Sequence, residues 1–219
     1  MDQRFWLERW SRGQTGFHQT SVDHNLERHW PRLECAEGSR VFVPLCGKSL
    51  DLPWLRDRGH DVVGLELSEL AIEAFCLENG IPARRRALPQ FDRYESPRLS
   101  LLRGDFYAAS PALLGNVDAI YDRAALVAWP PDQRGRYVAH LNAVSPGARA
   151  MLLIALEYPQ AQMKGPPFSV GRGEIERLFS RDYEITELGR RDVLAFEPRM
   201  RDRGVSSMFE VSYRLVRKP

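Results

Sequence analysis

The sequence predicts an α/β fold: a doubly wound, mostly parallel sheet with helices on both faces. Three observations carry that prediction. Apolar runs of strand length alternate with stretches of helical length through much of the 219-residue chain. The first two runs, Val41-Phe42-Val43-Pro44-Leu45 and Val62-Val63-Gly64-Leu65, are separated by a turn, Cys46-Gly47-Lys48-Ser49, and a helical stretch, and the second run ends on an acid, Glu66. After the rigid loop Gly165-Pro166-Pro167 the pattern changes to alternating segments suited to antiparallel pairing.

Taken in order, the N-terminal residues hold Phe5, Trp6, Leu7 and Trp10, with Trp6 and Trp10 on one face if the segment is helical. That pair would equally serve as an aromatic staple onto the core. Gly13-Gln14-Thr15-Gly16 breaks the pattern, and Leu26, Trp30 and Leu33 resume a helical spacing that Pro31 disturbs, so two helices are expected before the first strand. From Arg40 the reading is strand 40–45, helix 50–58, strand 61–67 and helix 68–79, with Gly59 and Gly80 where helix C-terminal glycines belong. Residues 81–98, carrying arginines and proline, read as irregular. Strand 99–103 follows, and Gly104-Asp105-Phe106 turns off its end. Strand 117–121, helix 132–144 and the strongly apolar strand 150–156 complete five strands of parallel type. A short helix at 173–180 and alternating segments at 183–195 and 207–217 finish the chain.

Composition narrows the function. Formal net charge is only +2, and the basic residues, nearly all arginine, are scattered among acids. The one dense cluster, Arg84-Arg85-Arg86, reads as a solvated segment before it reads as a nucleic-acid contact. Three cysteines with no C-x-x-C pair and no histidines at ligand spacing indicate neither a disulfide scaffold nor a metal site. The first residues lack the apolar core of a signal peptide and no run is long enough to span a bilayer, so a cytosolic protein without membrane or nucleic-acid partners is expected.

The candidate site lies where the strands end. Gly47-Lys48-Ser49 fails as a P-loop, because Phe42 stands where that motif needs its first glycine. No G-x-G-x-x-G is present either. A single glycine after the first strand suits a nucleoside cofactor with no pyrophosphate to cradle, and S-adenosylmethionine meets that requirement better than NAD. Glu66, at the end of the second strand about 20 residues beyond the turn, is placed to accept hydrogen bonds from both hydroxyls of a ribose. Asp105 and Phe106 are either adenine-side contacts or a helix cap with a core phenylalanine. Arg123, in Tyr121-Asp122-Arg123, either pairs with Asp122 or another acid or offers its fork of donors to a carboxylate or an anionic acceptor.

A set of segments in order then resembles one known family. Trp6-x-x-x-Trp10, Gly16-Phe17-His18-Gln19, Val43-Pro44-Leu45-Cys46-Gly47-Lys48-Ser49, Arg58-Gly59-His60-x-Val62-Val63-Gly64-Leu65-Glu66, Tyr121-Asp122-Arg123-Ala124-Ala125-Leu126-Val127-Ala128 and Gly165-Pro166-Pro167-Phe168 together look like thiopurine S-methyltransferase, in its bacterial branch. The resemblance implies a class I methyltransferase, with a Rossmann-like, seven-stranded, mostly parallel sheet and an antiparallel C-terminal strand. Residues 1–219 would form one domain, 1–38 being a helical cover over the active site. It further implies that Trp10, Leu45, Glu66 and Arg123 contact S-adenosylmethionine, with Asp105 and Phe106 as further adenine-side contacts. Phe17 would cover the acceptor ring and Arg199 would stand near it. Where animal members carry a tryptophan shortly after that arginine, this chain has Arg203, which implies a more polar acceptor mouth.

The expected reaction is methyl transfer to an aromatic or heterocyclic thiol by in-line displacement, leaving S-adenosylhomocysteine. No protein nucleophile is needed, since a thiolate and a sulfonium need only be aligned away from water. His18 is the first candidate if a base is required, and Cys46 reads as a packing residue. An alternative acceptor class is selenium or tellurium species, in a detoxifying role. A nonenzymatic nucleoside sensor and an RNA-modifying enzyme are the readings from other classes. A monomer is expected.

Overall fold

The computed structural model describes residues 3–16 and 18–219. Two N-terminal helices, α1 (Gln3–Ser11) and α2 (His24–His29), the latter running on into a 3-10 turn at Trp30–Leu33, precede the sheet. Then come β1 (Arg40–Pro44), α3 (Asp51–Asp57), β2 (Asp61–Glu66), α4 (Glu69–Glu78), β3 (Arg84–Leu88), β4 (Phe91–Ser96) and β5 (Leu99–Arg103). The chain continues through α5 (Pro111–Leu114), β6 (Ala119–Arg123), α6 (Pro131–Val144), β7 (Ala150–Glu157), α7 (Arg172–Phe179), β8 (Tyr183–Asp192), α8 (Pro198–Asp202) and β9 (Phe209–Arg217).

The nine strands among the described residues join one sheet in the order β3-β4-β5-β2-β1-β6-β7-β9-β8. The central five, β5, β2, β1, β6 and β7, are mutually parallel, as the apolar runs foretold. β9 inserts antiparallel between β7 and β8. The expected seven strands are all present, and the correction is a β3-β4 hairpin in the segment read as irregular, which raises the count to nine. It was hidden because its two-residue turn is Pro89-Gln90, with Gln90 at φ 64, and not the Asn-Gly type that announces a hairpin. Its first strand is also three arginines long before any apolar residue appears.

Alternation along each central strand divides the core between two faces. Val41, Val43, Val62, Leu101, Tyr121 and Leu152 point toward α2, α3 and α4, where Leu26, Trp30, Leu52, Leu55, Ile72 and Phe75 meet them. Phe42, Val63, Leu65, Leu102, Ile120 and Leu153 point the other way, toward Tyr137, Leu141, Ile175 and Phe179 of α6 and α7. A third, smaller cluster of Tyr158, Met163, Val193, Val205 and Met208 packs where the C-terminal hairpin meets the 158–170 loop. No helix among the described residues is long and apolar enough to cross a membrane.

Candidate functional site

Strand order reverses between β1 and β6, and open α/β sheets bind ligands in the crevice beyond the strand ends at such a point. Non-glycine residues in the left-handed region follow both strands: Leu45 (φ 49) after β1 and Ala124 (φ 69) after β6. Each such residue costs about 1–2 kcal/mol and persists only where its surroundings fix it, so this edge is held in a strained shape.

Glu66 fixes part of that shape. The Gly47 amide donates to its Oε2 (2.9 Å) and the Ser68 amide to its Oε1 (2.8 Å), so the last residue of β2 staples the β1 turn to the start of α4. Glu66 is 6% exposed. Burial pushes its carboxyl pKa up, and the amides of Ser68, Gly47 and Leu67 only partly oppose this. Each oxygen accepts one of these two short bonds and retains acceptor capacity for a second donor. Gly47 stands at φ 54, and a Cβ built there would lie 3.3 Å from Trp10 Cζ2, so the indole at the end of α1 lies over the turn. Leu45 is half-buried against the core beside it.

Asp105 caps the short turn after β5, accepting the Tyr107 amide at 3.0 Å, and stands half-buried at the edge. Phe106 is 3% exposed, with its ring centroid 5.1 Å from Tyr137 and 4.9 Å from His140. Of the two alternatives left by the sequence, the cap and the core phenylalanine describe what these side chains do within the protein.

Arg123 ends β6 and does not pair with its neighbour Asp122. Successive strand residues face opposite sides. Asp122 therefore turns into the α6 layer, accepting from Tyr137 Oη (2.7 Å) and the Leu126 amide (3.1 Å), and burial raises its pKa to about 6. Arg123 turns toward α2, where its Nε lies 3.4 Å from Asp23 Oδ2. Burial works against its charge, but Asp23, Tyr121, Asp51 and Glu210 outweigh that and leave its pKa raised. His18 lies nearby with its pKa lowered, first by burial, then by Lys48, with Glu78 opposing and Arg123 adding to the effect. Lys48 itself is ion-paired to Glu78 at 2.6 Å. Cys46 is buried and its thiol is pushed well above the ordinary value, first by burial, so it is not poised as a nucleophile.

Arg199 lies on α8, and a Cβ built on Gly16 would overlap its guanidinium. The C-terminal segment therefore reaches across to Gly16; Phe17 lies outside the described residues. The structure thus gathers Trp10, Leu45, Glu66 and Arg123 at the ends of adjacent strands, with Asp105 beyond the end of β5. Arg199 approaches from the opposite end of the sequence.

Sequence reasoning missed two sets of residues. Glu197 has its pKa raised by burial and Glu210, with Arg123 and Arg199 opposing, so this acid lies in the field of both arginines. Only its place two residues before Arg199 hinted at this. The other set is Asp23, Asp51 and Tyr121: the Asp23 amide donates to Asp51 Oδ1 (2.8 Å) and Tyr121 Oη to Asp51 Oδ2 (2.9 Å). Neither the capping of α2 by Asp23 nor its pairing with Arg123 was read from the sequence.

The sheet order and its switch-point crevice are those of the class I methyltransferase fold. A methyltransferase from Anabaena variabilis, named for its dependence on S-adenosylmethionine, superposes with a TM-score of 0.66 at 18% identity over 99% of this chain and 95% of that one. The magnesium protoporphyrin IX methyltransferase from Synechocystis, solved with bound S-adenosylhomocysteine, gives 0.62 at 14% identity over 99% and 100%. At the level of sequence, the family described as Thiopurine S-methyltransferase (TPMT) matches residues 1–218. Relatives bearing that name are 50% identical over 214 residues in Methylococcus capsulatus (97% of this chain, 96% of that protein) and 46% identical over 216 residues in Nitrosospira multiformis (99% and 98%). The chain belongs to the thiopurine S-methyltransferase family, and its methyl donor is S-adenosylmethionine.

Proposed function

We propose that the chain transfers a methyl group from S-adenosylmethionine to the sulfur of a small aromatic or heterocyclic thiol. The observation that carries this reading is Glu66: a buried carboxylate at the strand-end crevice, oriented by two backbone amides, with acceptor capacity left on both oxygens. That is the chemistry a ribose diol requires, and the turn beside it has the one glycine and no phosphate cradle that an adenosyl sulfonium cofactor calls for. The cofactor supplies, when bound, a methyl group activated by a sulfonium. In this reading Glu66 holds the ribose, Leu45 and Trp10 line the near side of the crevice, and Asp105 with the Phe106 backbone borders the adenine end. Arg123 offers its terminal nitrogens to a carboxylate.

The acceptor side is assigned to Phe17 and Arg199, with Arg123 contributing to the same positive field, which favours the ionised form of an acidic thiol. The protein's work is to bring thiolate and sulfonium together in line and exclude water, because opposite charges are lost as they combine. Residues 1–38 are read as the cover that does the excluding, in a single domain of 219 residues acting as a monomer.

The test is calorimetric titration with S-adenosylhomocysteine followed by a methyl-transfer assay with 6-mercaptopurine on the same protein. Binding with turnover is expected. Glu66→Ala should weaken binding at least about tenfold, whereas Arg199→Ala should raise KM for the thiol and leave S-adenosylhomocysteine affinity near wild type. Absence of binding would overturn the site, and binding without turnover would overturn the thiol acceptor.

A further inference from the structure

We infer that Asp23 is the positioning residue for Arg123, an inference that rests on the reading of Arg123 as a cofactor contact. Asp23 has two separate tasks, one for each carboxylate oxygen. Its Oδ1 caps α2, accepting the amides of Asn25 (2.8 Å) and Leu26 (3.2 Å). A neutral asparagine or serine performs that task equally well. Its Oδ2 is buried, accepts no hydrogen bond from the described residues, and lies 3.4 Å from Arg123 Nε. The Asp23 side chain is 1% exposed, so its charge is removed from water and the guanidinium is what compensates it.

The pairing has a direction. Arg123 is engaged through Nε, on the flank of the guanidinium, and the described residues supply no hydrogen-bond acceptor to its Nη1 or Nη2. The terminal fork, which recognises carboxylates in a bidentate manner, is therefore left to a ligand. Asp23 is in turn fixed from behind. Its amide donates to Asp51 Oδ1, and Asp51 Oδ2 receives Tyr121 Oη from β6, the same strand that carries Arg123. Two residues on, Asn25 Nδ2 donates to Glu210 Oε2 at 2.8 Å, and Arg191 closes on the same carboxylate at 2.7 Å. The start of α2 is thus clamped to α3, β6 and β9, and through Asp23 it sets the angle at which the Arg123 fork enters the crevice. A helix cap would be indifferent to the charge of residue 23, whereas this arrangement depends on it.

The experiment separates the two tasks. Thermal unfolding and calorimetric titration with S-adenosylhomocysteine are measured for the wild type, Asp23→Asn, Arg123→Gln and the double variant. Asp23→Asn keeps the cap and removes the charge, so its Tm should stay within about 2 °C of wild type while its Kd rises about tenfold. The double variant should bind no more weakly than Arg123→Gln alone, because the two residues act as a unit. If Asp23→Asn unfolds, Asp23→Ser supplies the same cap and takes its place in the cycle. Unchanged affinity in Asp23→Asn, or losses that add in the double variant, would overturn the inference while Arg123→Gln still reports the site. Wild-type affinity in Arg123→Gln would overturn both.

Discussion

At the scale of single residues, the acid most altered by folding outside the crevice proper is Asp122. Buried beneath Tyr137, its carboxyl moves from an ordinary 3.8 to about 6. Between those values the folded protein holds a proton that the unfolded chain has released. Stability from the neutral form is therefore fully present below the unfolded pKa, and it is lost as pH rises from about 4 through 6, by at most about 3 kcal/mol. Asp122→Asn keeps an acceptor for the Leu126 amide and removes the ionisation, and its side-chain NH2 donates to Tyr137 Oη where the wild-type carboxyl accepts from it. Its Tm relative to wild type should climb by roughly 5 °C between pH 4.5 and 7. A difference that stays constant over that range would show that burial does not oppose ionisation there. The neighbouring residues illustrate how little of this is written locally. Asp122 and Arg123 are adjacent opposite charges, yet the strand sends them to different layers, each to a partner that only the folded chain supplies.

At the scale of elements, the N-terminal cover divides into a fixed part and a light one. α2 is tied down by Asp23 and Asn25 and by Leu26 and Trp30 in the core. α1 buries no residue fully, rests on α4, and places Trp10 over Gly47. Removing residues 1–12 should therefore change Tm by no more than about 2 °C, since little apolar surface is lost, while weakening S-adenosylhomocysteine binding about tenfold through loss of the indole. A large fall in Tm, or unchanged affinity, would show that α1 is part of the framework and not a cover. The helix was legible from the Trp6 and Trp10 spacing. Its weight was not, because i, i+4 aromatics announce a face without saying how deeply it is buried.

At the scale of the molecule, the open sheet ends at β3, an outer strand with Arg84 and Arg86 exposed and without an ion-pair partner among the described residues. Arg85 instead pairs with Glu69 and Asp92. Like charges along an outer strand oppose edge-to-edge pairing of two copies. Replacing both Arg84 and Arg86 with valine should produce concentration-dependent self-association in light scattering, relative to wild type. An unchanged elution and mass would mean that the edge is protected by something other than charge. The arginine triplet that reads as a solvated segment thus finds its place as the guarded rim of a sheet larger than expected. The hairpin escaped notice because charge, not alternation, dominates its first strand.

What the sequence alone determined was the central architecture and the address of the site. Continuous apolar runs form strands buried on both faces, glycines and caps end the helices between them, and an acid such as Glu66 closing the second run falls at the strand-end crevice by chain order alone. These are local or short-range properties, fixed by residue type and spacing. The tertiary structure alone decided which oxygen of Glu66 takes which amide, which acid compensates Arg123, and that Arg199 meets Gly16. Those contacts join residues up to 183 positions apart along the 219-residue chain, brought together by packing, and packing leaves no spacing in the sequence for a reader to count.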